Sequence, residues 1–174
     1  MGWVTLSLRK RELKQEHQYY QLRDLQISRE KRALARQKSY EFAKLQAQQK
    51  EEELAISKNS EYDYGSVMTE ITNLRKSITS DMSEDDKKAI NDQIADKQTE
   101  YQNKVTAKTG AINDIKTFYD QQKADIEQEV GDEETELEME QVDVETQMEA
   151  ISQELQAVSD AISSEIQSST IKLA

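Results

Sequence analysis

The stretch DVETQMEAISQELQAVSDAI, residues 143–162, carries apolar side chains at Val144, Met148, Ile151, Leu155, Val158 and Ile162, at alternating intervals of four and three. That spacing is the heptad of a helix that winds against another helix. One helix cannot bury such a stripe alone, so the chain must fold back on itself or pair with a copy. Composition narrows the choice further. Proline and cysteine are absent from the 174 residues, only four residues are glycine, and 33% are charged against 35% hydrophobic. Nothing supplies the usual helix stops. Low hydrophobicity with a net charge of −12 also fits a disordered chain, but a disordered chain has no reason to hold a helical phase over many turns.

Charge is sorted along the sequence. Residues 1–58 hold 13 Lys/Arg and 8 Asp/Glu, residues 59–110 hold 7 and 10, and residues 111–174 hold 3 and 17. The basic first segment repeats an apolar residue every seven positions at Leu6, Leu13, Tyr20, Ile27 and Leu34, with Leu22 and Leu25 expected to widen the stripe locally. Its companion row is polar, with Lys10, His17, Asp24 and Lys31. From Leu34 the interval becomes eleven, through Leu45, Ile56, Val67 and Ile78, which implies a nearly straight or slightly right-handed course.

Two breaks divide the chain. SKNSEYDYGS, residues 57–66, reads as a loop or helix interruption. TSDMSEDDKK, residues 79–88, is the stronger one, because Ser83 followed by Asp86 matches a capping-box start. The reversal is therefore placed near residues 80–83. Beyond it Ile90, Ile94, Tyr101, Val105, Ile112, Ile115, Tyr119 and Ile126 continue the stripe. A second row, Val130, Leu137, Val144, Ile151 and Val158, is out of phase with the first, and the slip falls near Gly131. The closing SSTIKLA drops out of register and reads as a frayed end or docking tip.

The expected fold is all-α: a long antiparallel helical hairpin or coiled coil, elongated, in one unit. It comprises a basic N-terminal arm over 1–58, an interrupted helix and turn over 59–82, and an acidic heptad arm over 83–174. Arms of about 80 residues would each span roughly 120 Å at 1.5 Å per residue. Antiparallel pairing sets residues 9–44 beside approximately 121–156, basic against acidic. The seam, within or between chains, is assigned to Leu6, Leu13, Tyr20, Ile27 and Leu34 from the first arm. Val130, Leu137, Val144, Met148, Ile151, Leu155, Val158 and Ile162 supply the second. Two helices leave much apolar surface wet, and tyrosines off the seam suit contacts whose hydroxyl stays hydrated. Trp3, Val4, Tyr19 and Tyr40 are accordingly the candidate subunit contacts, with Trp3, Val4, Leu6 and Leu8 alternating as in a short strand before the helix.

No catalytic constellation is present. His17 is the only histidine and reads as an exposed helix-face residue with no partner for a metal site or nucleophile pair. GDEETELEMEQVD lacks the alternating ligands and central glycine of a calcium loop. No cofactor is implied. LRKRELK and SREKRALARQK resemble a nucleic-acid-binding basic region, with Arg9, Lys10, Arg11, Lys14, Arg29, Lys31, Arg32 and Arg36 toward phosphates. Interspersed acids and the strongly acidic whole argue against it. The start MGWVTLSLRKREL is no cleaved secretory signal, since its apolar stretch is too short and its basic cluster follows rather than precedes it. No run reaches membrane-spanning length.

The segments LSLRKREL near the start and MEAISQELQAVSDAISSEIQSS near the end give a plan similar to filament subunits of the flagellin and type III secretion kind. These share an amphipathic N-terminal helix, a heptad-rich C-terminal helix, no cysteine and no cleaved signal. Flagellin's own terminal consensus is absent, and helical structural proteins of tailed-phage virions show the same pattern. The resemblance implies a non-enzymatic structural protein whose partner is itself, joined in places by other structural proteins, in an exported filament or a virion. Two readings compete with it: a cytoplasmic coiled-coil adaptor or chaperone-like protein holding a heterologous partner, and a coiled coil that binds nucleic acid through its basic arm.

Overall fold

The computed structural model describes residues 2–172, with side chains through Ser169. It is an all-α helical hairpin. Helix α1 spans Trp3–Lys58, a 3-10 turn spans Ser60–Tyr62, α2 spans Tyr64–Ser77 and α3 spans Glu84–Lys172. No strand occurs among the described residues. Helix α3 packs on α1 and, beyond the break, on α2.

The two breaks fall where the punctuation residues stand. Asn59 ends α1, and its side chain accepts from the Glu61 amide at 2.9 Å. Asp63 then opens α2, its carboxylate accepting from Gly65 N–H at 2.9 Å and Ser66 N–H at 3.3 Å. After residues 78–83 reverse the chain, Ser83 opens α3. Its hydroxyl accepts from the Asp86 amide at 3.2 Å and donates to the Asp86 carboxylate at 2.6 Å. Glu84, Asp85 and Asp86 sit in the first turn of α3, where negative charge meets the positive end of the helix dipole.

The start of α1 corrects one expectation. Trp3, Val4, Leu6 and Leu8 are not in a strand, since the helix begins at Trp3. Strand-like alternation over so few residues is indistinguishable from part of a helical turn, and no strand among the described residues offers a ladder. The helix closes on Gly2, whose carbonyl accepts from the Thr5 amide at 2.9 Å. Of SSTIKLA, Ser168 and Ser169 continue α3 with hydroxyls bonded back one turn. The backbone stays helical through Lys172 rather than fraying there, and the last two residues of the segment lie outside the described residues.

The chain divides into two compact units, one formed by residues 1–39 with 127–174, the other by residues 40–126. In the first, Leu13, Ile151 and Val158 form a buried cluster flanked by Leu6, Tyr20, Leu155 and Ile162. In the second, Val67, Ile71 and Ile94 do the same, flanked by Leu74, Ile78, Ile90 and Tyr101. Gly110 and Gly131 lie inside α3, and no glycine has a positive φ among the described residues. The slip between the two heptad rows is thus absorbed in a continuous helix rather than at a break.

Candidate interaction surfaces

The seam of the first unit is built from the residues that the heptads single out. Leu13 and Ile27 are fully buried, at 0% exposure, and Leu34, Val130, Val144, Ile151 and Val158 are also buried. Leu6, Tyr20, Leu137, Met148, Leu155 and Ile162 are half-buried. In a two-helix seam each helix has only one neighbouring helix, so the flanking positions stay partly wet. Leu22 and Leu25 do not widen it. They stand 66% and 47% exposed, because with Leu13, Tyr20 and Ile27 facing α3 the helical period turns them to the opposite side.

The polar companion row is inside the seam as well. Lys10, His17, Asp24 and Lys31 are all half-buried, which corrects the reading of His17 as an exposed helix-face residue. Facing them, Gln141 of α3 bridges two of the row. Its carbonyl oxygen accepts from Lys31 Nζ at 2.9 Å and its amide donates to the Asp24 carboxylate at 3.3 Å. An isolated seam amide or ammonium would be left short of partners, whereas this trio satisfies itself in one alignment of the helices. Gln141 was not singled out by sequence reasoning. The available signal was a polar residue at a seam position between Leu137 and Val144, opposite a row already known to be polar.

Ion pairs rim the seam in the same alignment. Arg9 clamps Glu154 at 2.8 and 3.1 Å, and Arg23 clamps Glu140 at 2.6 and 2.7 Å. Lys38 reaches Glu127 at 3.8 Å. Hydrogen bonds from the guanidinium groups, reinforced by their charge, hold the Glu140 and Glu154 carboxyls below their ordinary range against the opposing effect of desolvation. The same bonds raise Arg23 and Arg9. The expected pairing of 9–44 with about 121–156 is the alignment these contacts adopt.

In the second unit, the core includes Ile71, which sequence reasoning passed over. Val67, Ile71, Leu74 and Ile78 repeat the four-three-four spacing, a signal hidden by following the eleven-residue interval alone. Tyr119 is buried, its hydroxyl donating to Glu52 at 2.9 Å; burial first, and the Glu52 carboxylate second, push its phenol up. Tyr64 meets Tyr101 edge to face at 5.6 Å. Lys97 bridges Glu70 at 2.7 Å and Glu100 at 2.8 Å, and this trio rims a groove of about 600 Å³ between α2 and α3 with Leu74 among its lining. The Lys97 ammonium is raised mainly by its bond to Glu100, and the Glu100 carboxyl is lowered by the same bond.

The candidate subunit contacts Trp3, Val4, Tyr19 and Tyr40 are all exposed. Among the described residues, no group of His, Cys, Asp or Glu is arranged to hold a metal, and no helix is long and apolar enough to cross a membrane. Comparison with known protein families, curated proteins and solved structures finds no match to this chain.

Proposed function

We propose that the chain is a non-enzymatic structural subunit that assembles with copies of itself through its helical hairpin, as part of a filament or a virion-associated assembly. One observation carries this reading: large apolar side chains remain on the outside of helices whose inner faces are already consumed by the seam. In the first unit Leu8, Tyr19, Leu22 and Leu25 of α1 and Met139 and Val142 of α3 are exposed. Single exposed apolar residues are ordinary, but recurrent ones on one helix face are a contact in waiting. The similarity of plan to flagellin-type and type III secretion filament subunits, and to helical phage structural proteins, points the same way.

Static light scattering and negative-stain electron microscopy of the purified protein test the proposal. Assemblies that grow with concentration are expected; a helical monomer that persists into the range of tens of micromolar overturns it. The groove beside Leu74, Lys97 and Glu100 favours a second reading, an adaptor that seats a heterologous partner. That reading requires a small, non-assembling chain and a stoichiometric foreign protein on purification from its source.

A further inference from the structure

Four arginines in the first unit have no role in the hairpin. The side chains of Arg11, Arg29, Arg32 and Arg36 are exposed on α1 and take part in no hydrogen bond or ion pair among the described residues, although Arg9, Arg23, Lys31 and Lys38 all pair across the seam. On α3 the carboxylates Glu129, Asp132, Glu136 and Asp143 are equally exposed and equally uncommitted. With Leu13, Tyr20, Ile27 and Leu34 in the seam, these arginines fall on the outward side of α1, together with Leu22 and Leu25. With Val144, Ile151 and Val158 in the seam, the acids fall on the outward side of α3, together with Met139 and Val142. One unit thus carries two opposite faces, one basic and one acidic, each with an apolar pair in it.

We infer that the basic outer face of α1 in one copy docks on the acidic outer face of α3 in the next. The inference rests on the self-assembly proposed above and names its interface. Its strongest support is register. The clamp between Arg23 and Glu140 and the contact of Lys38 with Glu127 fix which residues of the two antiparallel helices stand level. In that alignment, to within about one residue, Leu22 is level with Val142 and Leu25 with Met139. Arg29 is level with Glu136, Arg32 with Asp132 and Arg36 with Glu129.

Two copies set side by side without axial offset therefore bring apolar against apolar and arginine against carboxylate at every one of these levels. Arginine suits the role, because its planar fork grips a carboxylate with two bonds. The contact is heterologous: the face used on one copy differs from the face used on its neighbour. Such contacts close into rings or run on as open arrays, which is the behaviour a filament or sheath subunit needs.

Charge reversal tests the interface without touching the seam. The variants R29E/R32E/R36E and E129K/D132K/E136K should each keep the unmodified helical circular dichroism. Each alone should lose the assembly seen by light scattering, and an equimolar mixture should recover it. The lysine variant is informative because its net charge lies closer to zero than the −12 of the chain, so general repulsion alone would make it associate more readily. As an independent measure, L25C mixed with M139C should give a disulfide-linked heterodimer on oxidation, while neither alone cross-links. Undiminished assembly of both charge variants, or self-cross-linking of L25C, overturns the interface and leaves the self-assembly reading intact. Absence of assembly in the unmodified protein overturns both. If it instead retains duplex DNA at low salt, and R29E/R32E/R36E does not, the basic face belongs to a polyanion and the inference falls.

Discussion

Single residues have consequences that a melting curve can read. Gly131 lies within α3 without a positive φ, and a Cβ built on it meets nothing within 4 Å. Alanine there loses less backbone freedom on folding and creates no clash, so Gly131→Ala should stabilise the protein by about 0.5–1 kcal/mol, and Gly110→Ala similarly. Thermal melting followed by circular dichroism measures it; a lowered midpoint would show that the glycine supplies a bend the helix needs. Glu140 ties stability to pH. Its carboxyl titrates below the ordinary range because Arg23 hydrogen-bonds its charged form. A depressed carboxyl stabilises the fold above its unfolded value, about 4.3, and that stabilisation disappears as pH falls through the folded value. The stability difference between unmodified protein and Glu140→Gln should therefore hold steady near neutrality and shrink below about pH 4.3. Urea melts across that range check it, and a difference that persists in acid would mean the clamp acts by packing rather than charge.

At the scale of elements, the helix starts carry more weight than the helix interiors, because α3 has only its first turn to set its beginning. Ser83→Ala removes the oxygen that accepts from the Asp86 amide and should cost about 0.5–2 kcal/mol, read as a lower denaturation midpoint with an unchanged slope. The two breaks, the seam of the first unit and its alignment were all legible, because capping residues, glycine and heptad spacing act locally and add up over many turns. The start of α1 was not. Trp3, Val4, Leu6 and Leu8 alternate over too short a run to fix a period, and the helix that follows imposes its own. Ile71 was obscured for a related reason, since following every eleventh residue skips the intermediate ones. His17 and Gln141 were misjudged or passed over because composition says nothing about whether a polar residue at a seam position has a partner. Burial and partner geometry decide that, and neither is written in one chain segment.

For the molecule as a whole, specificity and stability are divided between different residues. Leu13 and Ile27 are fully buried and contribute roughly 1.5–3 kcal/mol each by leaving water. An apolar seam alone tolerates sliding by a heptad. The trio of Asp24, Gln141 and Lys31 does not, since a shifted helix leaves its members unsatisfied. Lys31→Leu combined with Gln141→Leu and Asp24→Leu should therefore raise the unfolding midpoint while loosening the alignment. Spin labels at the exposed positions Gln18 and Thr146 should report one narrow distance in the unmodified protein and a broadened distribution in the triple variant. A single narrow distance in both would assign register to the rim clamps of Arg9 and Arg23 instead.

The six-residue reversal at 78–83 has a consequence in time. Ile71 and Ile94 meet across it after a short search, whereas Leu13 has to find Ile151 and Val158 from far along the chain. Closing a long loop is entropically slower than extending a pairing already begun, so the arms zip away from the bend. On a ribosome the basic arm emerges first and spends most of synthesis with its greasy edge uncovered, waiting for the acidic arm to be made. Amide exchange in the mature protein should retrace that order, with protection greatest beside Val67 and Ile94 and least toward Leu6.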